Sequence, residues 1–339
     1  MAAEAGVSLQ TVSRVINNAP NVRPQVQERV NEAIARLGYV PSIAAQRMGG
    51  SRSYLLMALN DRDRTIDAWR SGEGTDWVDQ MLLGGMLRAA ESGYRMIFEL
   101  IDTHSSQVER EVQAALSALH PDGVILTPPH SDNPLITELL VRQGLPFARI
   151  GSATPGPGFA ISMNEAGAAE TATGHLLDLG HRRVGFITGS DEYALSQARL
   201  SGYRSALTTR GFEIDEALIG RGDFTYASGD AAAGRMLALP DPPTGIVASN
   251  DQMALAALAV AKASGLMVPT DLSIVSFDDT PIVRFSHPPL TAVVQPIAAM
   301  TAAAADLLIR AKSKAADLPE QTVAPFGFAV RASTSPPRR

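Results

Sequence analysis

The chain contains no cysteine, which removes disulfides, zinc-thiolate centres and thiol nucleophiles from consideration. It has no apolar run approaching the roughly 18 residues that a membrane span requires. Its first residues, MAAEAGVSLQTVSRV, lack the basic start and following apolar block of a secretion signal. A cytoplasmic location is expected. Several catalytic signatures are missing too. No G-x-G-x-x-G follows the first strand candidate, and no phosphate-loop lysine or G-x-S-x-G elbow occurs. The histidines (His104, His120, His130, His175, His181, His287) are scattered without metal-ligand spacing. Neither enzyme activity, a metal nor a cofactor is expected.

What remains is a chain of 339 residues, too long for one ordinary domain, with 45% hydrophobic and 19% charged residues as in soluble globular proteins. The net charge of −6 hides an asymmetry: residues 1–53 hold six arginines against three glutamates, a balance of +3 that leaves −9 for the remainder. A small basic head on an acidic body suits phosphate attraction at one end.

Three regions separate by rhythm. Residues 1–41 read as short helices without strands, closed by Gly38-Tyr39-Val40-Pro41, since a residue before proline leaves the helical region. Residues 42–53 form a short helix candidate and a polar link. From residue 54 strands and helices alternate. Strand candidates are 54–59, 95–100, 123–127, 146–151, 184–189, 245–249 and 272–278, short apolar runs expected of strands buried on both faces. Helices at 79–92, 107–119, 165–179 and 251–264 lie between them. Gly93, Gly180, Gly211 and Gly265 stand where helices should end in the left-handed region. This alternation predicts an α/β protein with two doubly wound parallel-sheet subdomains. Ligands of such sheets lie outside the carboxyl ends of the strands, here in the cleft between halves.

In the head, Gly6 ends one helix and Ser8 can cap the next. Val12, Val15 and Ile16 share an inward face, while Leu9, Gln10, Thr11, Ser13, Arg14 and Asn17 are available to DNA. This is the logic of a helix-turn-helix, whose second helix enters the major groove by its N-terminal residues. Arginine pairs twice with guanine and glutamine with adenine, so Gln10 and Arg14 are the base readers. Thr11, Ser13 and Asn17 suit phosphates, which position without specifying.

The runs AGVSLQTVSRVIN and ARLGYVPSIAAQRM, with ASNDQMALAALAVAKASGLMVPTDLSIVSFDD and HPPLTAVVQP in the body, resemble the lactose/galactose-repressor family along nearly the whole chain. The resemblance implies a type I periplasmic-binding-protein-like core behind the head, and a two-fold homodimer on near-palindromic operator DNA. Its core subdomains would comprise residues 54–160 with 293–322, and 161–292 with 323–332, followed by a disordered tail at 333–339. It also implies DNA contact by Tyr39 and a hinge helix near 42–50 that orders on DNA and wedges the minor groove. Met48 stands where the family usually has leucine, and Ser42 replaces a more usual asparagine. Helix one should begin before Met1, so about ten further native residues are expected, because so short a helix supports its neighbour poorly.

For the core, the resemblance implies a polar small-molecule effector, a carbohydrate above all. Arg199 matches an R-x-x-G at a helix start, and its guanidinium can donate paired hydrogen bonds to hydroxyls. Asn250 and Asp278 lie at strand carboxyl ends, and Phe224 matches a position often lining the ligand. Residues 60–78 exceed the family's usual first loop and hold Trp69 and Trp77, either of which could overlie the effector. Thr127 is a weaker candidate. A transport binding protein would share the core but needs a secretion signal and no DNA-reading head.

Overall fold

The computed structural model describes residues 1–16, 22–38, 52–72, 74 and 76–338. The expected hinge helix, with Met48, and the contact residues Asn17 and Tyr39 lie outside the described residues.

In the head, Ser8 caps the helix Leu9–Ile16 by accepting from the Thr11 amide at 3.1 Å. The residues before it make a single turn, with the Ala5 amide donating to the Met1 carbonyl at 2.8 Å. Helix Pro24–Leu37 takes proline in its first turn, where a missing N–H costs nothing, and ends at Gly38 in the left-handed region. Ala5, Val12, Val15, Val30 and Ala33 form the small core between these pieces.

The body is two six-stranded sheets flanked by helices. The first contains β1 (Leu55–Asp61), β2 (Arg95–Ile101), β3 (Gly123–Leu126), β4 (Phe147–Ile150), β5 (Phe159–Met163) and, from far along the chain, β11 (Gln321–Ala324). Its order is β11-β5-β4-β3-β1-β2, parallel throughout. The second contains β6 (Val184–Ile187), β7 (Ile219–Gly220), β8 (Gly245–Ala248), β9 (Ser273–Asp278), β10 (Thr291–Val294) and β12 (Gly327–Ala329). Its order is β12-β10-β9-β8-β6-β7, with only β12 antiparallel to its neighbour.

The seven strand candidates are all present, and the four helix-ending glycines all have positive φ. The crossovers between halves differ slightly from expectation. The first half runs on through β5 to Met163, the second keeps all of β10, and β11 returns the chain to the first sheet until Ala324. Strand pairing, invisible in composition, sets these limits.

The tail is not disordered over 333–338. Ser333 is fully buried; its hydroxyl donates to the Ile274 carbonyl at 2.6 Å and accepts from the Thr291 amide at 2.8 Å. The Ile274 amide in turn donates to the Ser333 carbonyl at 2.9 Å. A polar segment without apolar periodicity is held here by hydrogen bonds to strand ends, a force that leaves no pattern in sequence.

Candidate functional site

Between the two sheets lies a cleft of about 470 Å³, in the size range of small-molecule sites. Strands end at it from both halves, as doubly wound topology requires.

On the first half, β1 runs straight into helix Arg62–Ser71. Asp61 caps that helix, its Oδ1 accepting from the Arg64 amide at 3.0 Å. Arg64, Asp67, Ala68 and Ser71 fall on one face at helical spacing and line the cleft. Trp69 belongs to the opposite face and is 54% exposed. It does not line the cleft, so the expectation for Trp69 is corrected. Trp77, in helix Asp76–Glu91, does line it.

Thr127 is a second correction. It is wholly buried, with its hydroxyl 2.6 Å from Asn60 Oδ1 and 2.9 Å from the Leu59 carbonyl. It ties the end of β3 to β1 behind the cleft wall. Asn60 itself lines the cleft.

The second half supplies a buried charge cluster. Arg199, 2% exposed, donates through Nε to Glu165 at 2.7 Å and through Nη1 to the Ser249 carbonyl. Its guanidinium also lies 4.4 Å over the Phe277 ring. The chain itself therefore already engages much of the fork that sequence reasoning assigned to an effector.

Asp278 ends β9 with φ +91°, a left-handed conformation that side-chain-bearing residues seldom adopt. Burial pushes its carboxyl up to about 6; the Arg199 charge opposes this and Glu165 adds to it. Asp251 is raised strongly as well, by burial first and the Asp278 charge second. It accepts from the Thr280 amide and hydroxyl, each at 2.7 Å, and from Ser276.

Asn250 lines the cleft, but its amide serves the chain. Oδ1 caps the next helix at the Met253 amide, 2.9 Å, and Nδ2 donates to the Phe224 carbonyl at 2.8 Å. Phe224 has φ +73° and stacks on Tyr193 with centroids 5.5 Å apart. Gly189 sits beneath the ring, where any Cβ would overlap it.

Arg199, Phe224, Asn250, Asp278 and Trp77 thus converge on one cleft. Arg64 and Tyr193 escaped sequence reasoning. Arg64 lay in the long segment singled out for its tryptophans, but nothing in periodicity marks Tyr193, which reaches the cleft from a loop before helix Ala194–Thr209. No group of three or more metal-ligating side chains occurs among the described residues. Nor, among them, is any helix long and apolar enough to cross a membrane.

At the head, Leu9 is 81% exposed; Gln10, Ser13 and Arg14 are exposed and Thr11 half-buried. Val12 and Val15 face inward, so the helix presents Leu9 together with the polar side chains of Gln10, Ser13 and Arg14.

Residues 1–42 match the family described as bacterial regulatory proteins, lacI family, and residues 173–334 match the periplasmic binding protein-like domain. The HTH-type transcriptional regulator CelR of Thermobifida fusca is 35% identical over 316 residues, covering 91% of this chain and 89% of that protein. A structure of a transcriptional regulator CelR–cellobiose complex superposes with TM-score 0.75 at 32% identity, covering 98% of each chain. The lac repressor dimer bound to operator and an anti-inducer superposes with TM-score 0.79 at 26% identity, covering 98% of this chain and 97% of that one.

Proposed function

Because this chain belongs to the lacI family of bacterial regulatory proteins, we propose that it is a homodimeric repressor whose grip on a near-palindromic operator is set by a carbohydrate in the cleft. It is a DNA-binding transcriptional regulator, and its relatives are named as regulators rather than enzymes. One observation carries the finer reading: a single chain joins an exposed polar recognition helix to a cleft lined by acceptor groups, an aromatic pair and Trp77.

In this reading Gln10 and Arg14 meet base edges while Leu9, Thr11, Ser13 and Asn17 hold register, Tyr39 adds a DNA contact, and Met48 acts at the operator centre. Asp278 accepts from effector hydroxyls, and Arg199 fixes the charge cluster from which it does so. Phe224 and Trp77 offer flat apolar faces to a sugar ring. The effector alters operator affinity only by the ratio of its affinities for two arrangements of the halves. Such a regulator works beside the chromosome, in the cytoplasm.

Helix Asp76–Glu91 supports the dimer. It leaves Leu83, Met86 and Leu87 about half exposed on one face. Helix Ile297–Lys312 packs its inner face against this helix at Gly84 and Gly85.

The test starts from an operator selected out of random duplexes, with binding read by fluorescence anisotropy at moderate salt. Cellobiose, the ligand of the CelR structure, is the first sugar to titrate. Selective binding that shifts with sugar, and is lost in Arg14→Ala, supports the proposal. Absence of any selected sequence would end it.

A further inference from the structure

We infer that Arg64 is a positioning residue, the strap that holds the two halves together over an effector bound in the cleft; this rests on the cleft being the effector site.

Arg64 starts on the first half but ends on the second. Its Nη2 donates to the Asp223 carbonyl at 2.7 Å. Its guanidinium lies 5.2 Å from the Tyr193 ring centroid and 5.6 Å from that of Phe224. Arginine suits both contacts, because its planar, weakly hydrated guanidinium can approach aromatic rings and still donate from its edge.

Both ends are anchored. On the first half, Asp61 caps the Arg64 amide and accepts from Thr103 Oγ1 at 2.8 Å, and that hydroxyl lies 2.9 Å from His130 Nε2. On the second half, Asn250 holds the Phe224 carbonyl and Gly189 leaves room for the ring. Separation of the halves would break these contacts with the second half, so the strap can act only while the halves are together. The His104–Glu192 bridge, at 3.0 Å, crosses the same mouth, but both side chains are well exposed and contribute little.

The absence of native cysteine allows clean labelling. Arg110→Cys and Ala231→Cys place one spin label on each half at exposed helical positions. Double electron–electron resonance on the ligand-free chain should give one short distance population, and Arg64→Met should add a longer one. With cellobiose as probe, stopped-flow should show release about tenfold faster in Arg64→Met, with association changed less than twofold. Arg64→Lys keeps the charge without the planar, multiply donating head and should not restore either readout. Tyr193→Leu should copy Arg64→Met, and the double variant should be no worse than either alone. Identical label distances in parent and Arg64→Met would overturn the strap. If cellobiose fails to bind the parent, the proposed effector loses support while the distances still decide the strap.

Discussion

Two buried titratable residues oppose each other in their effect on stability. His130 is wholly buried beside Thr103, and burial lowers its imidazole to about 4. The unfolded chain therefore gains a proton below about 6.5 that the folded chain refuses. Its stability contribution is lost as pH falls from about 6.5 towards 4, at most about 3 kcal/mol. Melting temperatures of His130→Gln should lack that slope. Asp278 has the other sign. Its carboxyl is raised to about 6, so the folded chain keeps a proton that the unfolded chain has already released, and stability falls as pH rises through about 4 to 6. Asp278→Asn should melt higher than the parent at pH 7.5, by roughly 1–3 kcal/mol of added stability, and equal it near pH 4. Calorimetry should find effector binding weakened in the same variant, because a charge kept at a cost in stability is kept for its ligand.

At the scale of elements, the contact between helices Asp76–Glu91 and Ile297–Lys312 depends on two adjacent glycines. A Cβ on Gly84 would overlap the Ala298 backbone, and one on Gly85 would press on Met96 and Thr301. Backbone on one side cannot yield as a side chain can. Gly84→Ala should therefore cost about 1–3 kcal/mol or more by overpacking, read as a lower midpoint in urea. Gly234→Ala, on a helix whose Cβ would meet nothing, should be neutral or slightly stabilising by helix propensity. Helix Arg62–Ser71 shows a different economy. It buries only Thr65 and is held at its start by polar contacts, the Asp61 cap, the Arg62 pairs with Asp102 and Glu111 and the Thr65 hydroxyl on the Asp61 carbonyl, while its polar face lines the cleft.

At the scale of the whole molecule, a head this small can read only one half-site, and the proposed dimer supplies the second. The exposed Leu83 and Leu87 flank that proposed contact. Leu83→Asp with Leu87→Asp should halve the mass found by sedimentation equilibrium and weaken operator binding at least a hundredfold, since two half-sites are then no longer linked. Binding of a sugar to the cleft should persist in this variant, because each cleft is built from one chain.

Much of this was legible without coordinates. Apolar runs marked seven of the twelve described strands, glycines marked helix exits, and Ser8 marked the start of the helix Leu9–Ile16, because these choices are made by neighbours in sequence. The direction of the site was legible too, since parallel strands end where ligands bind. Only tertiary structure decided that Thr127 and Trp69 turn away from the cleft, that Arg199 is engaged by Glu165, and that the serine-rich tail is built into the second half. It also brought Arg64 onto Tyr193 and Phe224 across more than a hundred residues of chain. Local order leaves a period in the sequence; contacts between distant segments depend on how two sheets face each other, and no spacing records that.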